Sequence, residues 1–404
     1  MIHSFSCKNF YSFKELTTID FVVNDKAPKN DGYFLSATGD RLSKIETVVG
    51  PNASGKTNLL KVLPFLKWLI NDSFNMDPMA MIPVKPFAFN NKKDKMTELS
   101  VDFEINGNIY IYDFILEEKR IILEELKIKN KTNKKLTNKT LFVRSWDKEN
   151  KKYNFVDKNF KSPKGFKNSI RSNASIITIA SRLGHKESIE IFNYWKNVET
   201  NVNEAGWIGD RLLPNATQQL GDALDFYSDI ENKKIKEKAE ELLSRFDLGL
   251  NSFDIKKEKK DNGFSVNVRV AHSFEDKTEY LPLQYESSGT KQLFVLLKTI
   301  LIVLSNGGIA VLDEFDVNLH PEMVLSLFEL FLDNDTNPHN AQLFFSTHSH
   351  RALSKLDKYQ IIFTEKNDKG ETETWRLDDM SGVRADENYY SKYVAGAYGA
   401  VPKL

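Results

Sequence analysis

Eight consecutive residues, Gly50-Pro51-Asn52-Ala53-Ser54-Gly55-Lys56-Thr57, match the P-loop pattern: two glycines separated by four residues, then Lys and Thr. Glycines in such a loop let backbone N–H groups turn toward phosphate oxygens, and the start of a following helix adds partial positive charge. Lys56 would bridge the β- and γ-phosphates of a nucleoside triphosphate, and the Thr57 hydroxyl would ligate Mg²⁺. Asn52, Ala53, Ser54, Gly55 and Asn58 would complete the phosphate cradle. Far downstream, Ile309-Ala310-Val311-Leu312 runs into Asp313-Glu314. Asp313 would hold Mg²⁺, directly or through water, and Glu314 would orient and polarise an attacking water. A third run, Leu343-Phe344-Phe345-Ser346-Thr347-His348, ends on His348, which would contact the γ-phosphate or that water. An Asp-Glu pair alone says little. Beside a P-loop it specifies phosphoryl transfer to water.

These residues need strands to carry them to one place. Ile45-Glu46-Thr47-Val48-Val49 is a short β-branched run ending at the loop glycine. Leu59, Leu60, Val62, Leu63, Leu66 and Leu69 follow at helical spacing. Downstream, the pattern predicts a helix from about Thr290, a strand at 309–312, a helix from Pro321, and strands at 342–346 and 360–364. Strands alternating with helices imply a parallel sheet with crossover helices, whose ligands bind at the C-terminal strand ends. A different pattern occupies 99–128, where alternating residues flank Asn106-Gly107, a strong hairpin signal. That stretch is expected to be an antiparallel sheet. Residues 172–245 look helical near 187–198 and 233–246, with Pro214 and Asn215 breaking the run, and 264–270 alternates as a strand.

The motifs together resemble the ABC-type ATPase superfamily. Glu286-Ser287-Ser288-Gly289-Thr290 looks like a divergent copy of its signature, with Ser288 where a glycine is usual. The resemblance implies that Ser287, Ser288 and Gly289 of one subunit cap the ATP held on the P-loop of another. An ordinary Ser-Ser helix cap fits the same residues. The opening Phe5–Phe13 is similar to the first strand of the RecF, SMC-like and OLD branch, which implies that Lys8 and Asn9 lie near the nucleotide. Asp313–Pro321, with its Leu-His-Pro ending, looks like the same branch. Arg171–Ser175 and Gly396–Pro402 resemble compact AAA-family ATPases of bacterial abortive-infection (phage-defence) operons. The expected fold is therefore α/β: an ABC-type P-loop ATPase head, with a mixed sheet, crossover helices and an antiparallel β-subdomain. Its expected divisions are an N-terminal lobe at 1–170, a helical insertion at 171–250 and a C-terminal lobe at 251–404. The pattern departs from the family where a Mg²⁺-ligating glutamine is usual, because Lys85–Asn90 contains none.

Composition narrows the role. The chain has 404 residues, and its 56 basic side chains balance 56 acidic ones, which excludes an overwhelmingly basic coat protein. Residues 126–168 nonetheless carry fourteen Lys or Arg against three Asp or Glu, with aromatics interspersed. A solvated hairpin is the simpler reading, and a nucleic-acid or partner surface the other. A single cysteine, Cys7, permits no internal disulfide. The start lacks a signal-peptide layout, and Lys298 interrupts the longest apolar run, so a cytoplasmic protein without a membrane partner is expected. No OLD-type nuclease domain is expected in the 56 residues after His348. Three roles follow. One is an ATP-hydrolysing switch that dimerises by sandwiching ATP, or assembles further, and controls a separate nuclease or toxin. The second is a RecF/SMC-like DNA-repair or DNA-end-sensing ATPase. The third, a scaffold that binds ATP without cleaving it, sits poorly with the intact Asp313-Glu314 pair.

Overall fold

Three strands run through the middle of the fold: Ile309–Leu312, wholly apolar, and Ile45–Val49 and Gln342–Ser346, each with two polar residues. Each is buried at every position, as strands covered on both faces must be. They form the centre of a six-stranded sheet in the order Val198–Thr200, Ile309–Leu312, Gln342–Ser346, Ile45–Val49, Ile361–Lys366, Thr372–Arg376. All neighbours are parallel except the last pair. The structure, a computed structural model, describes residues 1–90, 95–132, 135–202, 216–246, 250–260, 263–275, 277–348 and 350–402. Pro214 and Asn215, expected to break a helix, lie outside them.

The alternating stretch folds as a seven-stranded antiparallel sheet. Its order is Lys152–Asp157, Lys135–Asp147, Arg120–Thr132, Asn108–Glu117, Thr97–Ile105, Ile2–Lys8, Thr17–Asp20. Asn106 and Gly107 take positive φ of 49° and 79°, the backbone a tight hairpin with native twist requires. One face of this sheet packs on one face of the mixed sheet. Phe344 points that way, with its ring 5.4 Å from Phe5 and 5.9 Å from Phe21. Its strand neighbours Leu343 and Phe345 point into a second core on the other side. Helices Ser288–Asn306 and Pro321–Leu332 cover that side. Ser288–Asn306 is, among the described residues, the one helix long and apolar enough to cross a membrane. Nine of its side chains are buried in the fold.

Three features add to the expected outline. Residues 171–250 are mostly helical but not set apart. The Val198–Thr200 strand joins the mixed sheet beside Ile309–Leu312, and helices Ala216–Ser228 and Lys233–Phe246 pack into the second core, with the Tyr227 ring 4.9 Å from Phe294. The expected strand at 264–270 is the middle of a three-stranded sheet, Leu250–Lys260, Gly263–Phe274 and Lys277–Pro282. Beyond Ile361–Lys366 the chain adds Thr372–Arg376 and a helix, Tyr389–Val394. Just past that edge strand, Asp378 is held by Arg376 at 2.5 Å.

Arg171–Ser175 organises the loop after the Val62–Asn71 helix. Arg171 donates to the carbonyls of Phe74 and Met76, Asn173 donates to those of Asp77 and Ala80, and Ser175 caps helix Ile176–Arg182.

Candidate active site

The loop from Gly50 to Gly55 is shaped by what lies beneath it. A Cβ on Gly50 would sit 2.2 Å from the Thr364 carbonyl oxygen. Gly55 has φ 114°, and its Cβ would fall 2.3 Å from Thr372 Oγ1. Both positions therefore demand glycine. Thr372 Oγ1 lies 2.9 Å from the Ser54 carbonyl and 2.8 Å from Ser12 Oγ, so the antiparallel edge strand braces the loop from below. The buried Ser54 hydroxyl is 2.7 Å from Thr364 Oγ1, and Asn58 donates to Ser12 Oγ at 2.9 Å. A short helix, Lys56–Leu60, starts at Gly55 and continues after Lys61 as Val62–Asn71.

Above the loop opens a cleft of about 640 Å³. Asn52, Ala53, Ser54, Gly55, Lys56, Thr57 and Asn58 line one side, and Glu314, His348 and Lys366 the other. Lys56 Nζ donates to the carbonyls of Gly50 at 2.9 Å and Pro51 at 3.1 Å. Burial lowers the pKa of its ammonium group, while the carboxylates of Glu314, Asp313 and Asp316 oppose that shift.

The acidic pair leaves its strand through a strained turn. Glu314 has φ 44°, a region that few non-glycine residues occupy. Its N–H donates to Ser346 Oγ at 2.9 Å, and that hydroxyl donates to Asp313 Oδ1 at 2.5 Å. The strand carrying Ser346 thus holds both acidic residues. Glu314 Oε1 is 3.0 Å from His348 Nε2, with both side chains partly exposed to the cleft. Asn201, after the Val198–Thr200 strand, bonds the main chain of Asp313 in both directions.

Other candidates lie elsewhere. Lys8 pairs with Glu98 at 2.9 Å, and Asn9 is buried, with φ 52°; neither lines the cleft. The Asn9 side-chain oxygen Oδ1 accepts from the Phe87 N–H at 2.9 Å, so it shapes the loop where a glutamine was expected and none occurs. Ser287, Ser288 and Gly289 are also absent from this chain's own cleft lining. Ser287 caps its helix by accepting from the Thr290 N–H at 3.0 Å, and Ser287 and Ser288 are exposed. A Cβ on Gly289 would lie 2.7 Å from the Asn318 carbonyl, packing this turn on the loop after Glu314.

Sequence reading missed Ser12, Asn201, Ser346, Lys366 and Thr372. Ser12 and Ser346 lie inside runs the sequence singles out, Phe5–Phe13 and Leu343–His348, but without a role of their own, and Asn201, Lys366 and Thr372 fall in no motif. The donor set suits Mg²⁺. The Thr57 hydroxyl and the Asp313 carboxylate are hard oxygen ligands, and this ion takes few protein ligands when phosphates and water supply the rest. No group of three or more His, Cys, Asp or Glu able to hold a metal occurs among the described residues.

A family model described as "AAA domain, putative AbiEii toxin, Type IV TA system" matches residues 47–354. No curated protein matches the chain. Among solved structures, the SMC head domain from Thermotoga maritima is 15% identical, with a TM-score of 0.44, covering 93% of this chain and 98% of that one. An SMC head bound to the C-terminal winged-helix domain of ScpA is 14% identical, with a TM-score of 0.46, covering 94% and 98%. An SMC head with an extended coiled coil, bound to a ScpA domain derived from Pyrococcus furiosus, is 12% identical, with a TM-score of 0.46, covering 94% and 97%.

Proposed function

The chain belongs to the AAA-domain family whose model spans its P-loop and its acidic strand, and from that premise we propose that it is an ATP-hydrolysing switch that closes as a dimer around nucleotide. One observation carries this reading: Lys56, Thr57, Glu314 and His348, drawn from three distant parts of the chain, line one cleft. In this reading Lys56 leaves the loop carbonyls for the triphosphate, exchanging neutral acceptors for a charged one. Glu314 accepts a proton from water as it attacks the γ-phosphorus, the bond to the β,γ-bridging oxygen breaks and ADP leaves with that electron pair, and His348 holds the Glu314 carboxylate in place. Mg²⁺, held by Thr57 and Asp313, would neutralise charge that builds on the phosphates.

The position of the Ser287-Ser288-Gly289 turn supports the dimer: it lies outside this chain's own cleft, with both serines exposed. A second copy would supply that turn to the γ-phosphate, as the family resemblance implies. The toxin–antitoxin description of the family supports a regulated role, and in this reading that role is phage defence, with a separate nuclease or toxin as effector. Phosphate release from Mg²⁺-ATP tests the core of the proposal. The parent should turn over ATP, and Lys56→Ala should lose both nucleotide binding and turnover. Nucleotide binding unchanged in Lys56→Ala would remove the P-loop from the site.

A further inference from the structure

Two parts of the basic run after Leu126 have different fates. On the face of the antiparallel sheet, Lys127 lies 3.0 Å from both Asp113 and Glu125, and Lys129 lies 2.6 Å from Asp102. Those cations are neutralised. At one end of the sheet, the turn after Glu117 and the turn between Asp147 and Lys152 stand side by side, and with Pro86 they enclose a cleft of about 740 Å³. Lys95, Lys119, Arg120, Lys148 and Lys151 line it, against two carboxylates, Glu117 and Glu118. Glu117 is taken by Arg120 at 3.1 Å. Among the described residues, no carboxylate lies within ion-pair distance of Lys95, Lys119, Lys148 or Lys151.

The cleft also holds an aromatic platform. The Arg120 guanidinium sits 4.0 Å from the centroid of the Trp146 ring, and Tyr153 meets that indole edge-on at 5.0 Å. Trp146 is only partly buried and belongs to the lining. Unpaired lysines around a stacked Arg–Trp pair complement a polymer that alternates phosphates with flat bases. A duplex keeps its base faces stacked inside, so only an unpaired strand could lay a base on this platform.

We propose that this cleft binds single-stranded nucleic acid, with Lys119, Lys148 and Lys151 on phosphates and a base stacked on the Trp146–Arg120 pair. The loop that contributes Pro86 is tied to the ATP side of the fold. Tyr11 N–H donates to the Lys85 carbonyl at 2.7 Å, one residue from the Ser12 that receives Asn58. The proposal does not rest on hydrolysis, because strand binding is read without nucleotide.

The test is fluorescence anisotropy of short labelled DNA and RNA single strands, with a hairpin duplex as comparison, on the full chain at several salt concentrations. The parent should bind a single strand of one or both types in preference to the duplex. Three or four neutralised phosphates predict a log–log salt slope of about −2 to −3. Lys148→Glu with Lys151→Glu, in an exposed turn, should weaken binding at least about tenfold and flatten the slope by about one. Trp146→Ala should weaken binding about tenfold with little change in slope. Lys233→Glu with Lys234→Glu, an equal charge change on a distant helix, should bind like the parent. Absence of binding at low salt, a preference for duplex, parent-like binding by the turn variant, or equal loss in the distant variant would each overturn the proposal.

Discussion

Asn201 and Asp313 exchange two hydrogen bonds: the Asp313 N–H donates to the Asn201 side-chain oxygen at 2.7 Å, and the Asn201 amide donates to the Asp313 carbonyl at 2.9 Å. One side chain thus pairs with the backbone of the metal-ligand candidate as a further strand residue would. Each bond is worth about 1 kcal/mol. Asn201→Ala should therefore lower stability by about 2 kcal/mol and, by loosening Asp313, cut ATP hydrolysis about tenfold. Denaturant midpoints and phosphate release measure the two effects. Full turnover in a destabilised variant would separate the clamp from the chemistry.

Glu314→Gln keeps the size and hydrogen-bonding reach of the side chain but removes its basicity. Hydrolysis should fall by a factor of about 10² or more, while ATP binding persists. Closed dimers should then accumulate with ATP and not with ADP, as light scattering would show. Parent-like turnover would take the general-base role away from Glu314.

A second cluster concerns stability alone. Arg144 and Glu124 form a fully buried ion pair, and Glu124 also accepts from Tyr112 Oη and from the Ile176 N–H at 2.7 Å. The pair joins the antiparallel sheet to the start of helix Ile176–Arg182. Arg144→Met should cost about 3–5 kcal/mol, because a buried carboxylate would lose its countercharge. Adding Glu124→Gln should recover much of that loss, since an amide oxygen still receives the Ile176 N–H. Urea midpoints of the single and double variants decide.

Glu46 lies in the central strand that leads into the P-loop. It is fully buried, with neither carboxyl oxygen in a well-formed hydrogen bond. Burial raises its pKa well above the ordinary value, with Arg376 opposing. The folded chain therefore keeps this proton at pH values where the unfolded chain has lost it. The contribution of this residue to stability is unimpaired below the unfolded value of about 4.3. It falls as pH rises toward the folded value, by at most about 1.4 kcal/mol per pH unit. Denaturation of the parent and of Glu46→Gln from pH 5 to pH 8 should show the parent losing ground to the variant as pH rises. A pH-independent difference would mean that the carboxyl is ionised in the fold.

The features legible in the sequence were local ones. Asn106-Gly107 announces its hairpin because two adjacent residues can both accept positive φ. The buried strands at 45–49, 309–312 and 342–346 declare themselves as short runs dominated by β-branched and apolar residues. What escaped notice was short or depended on a distant partner. Val198–Thr200 has only three residues, too few for a period to emerge, and it becomes a strand by pairing with Ile309–Leu312. Lys8 carries no mark that tells a phosphate ligand from the partner of Glu98. The basic run likewise gives no hint of which lysines face carboxylates across a strand, because cross-strand register sets that.

The sequence by itself determined the chemistry: a glycine loop followed by Lys56 and Thr57, with carboxylates and an imidazole at the ends of apolar strands. Residue type and spacing suffice there, since backbone conformation and strand burial are written within a few neighbouring residues. Tertiary structure alone decided the supports, among them Thr372 under the loop, Ser346 and Asn201 on Asp313, and Lys366 across the cleft. The physical reason is that each acts through one or two hydrogen bonds or a single charge across the fold. Such contacts come into being only when sheet order and register bring distant segments together.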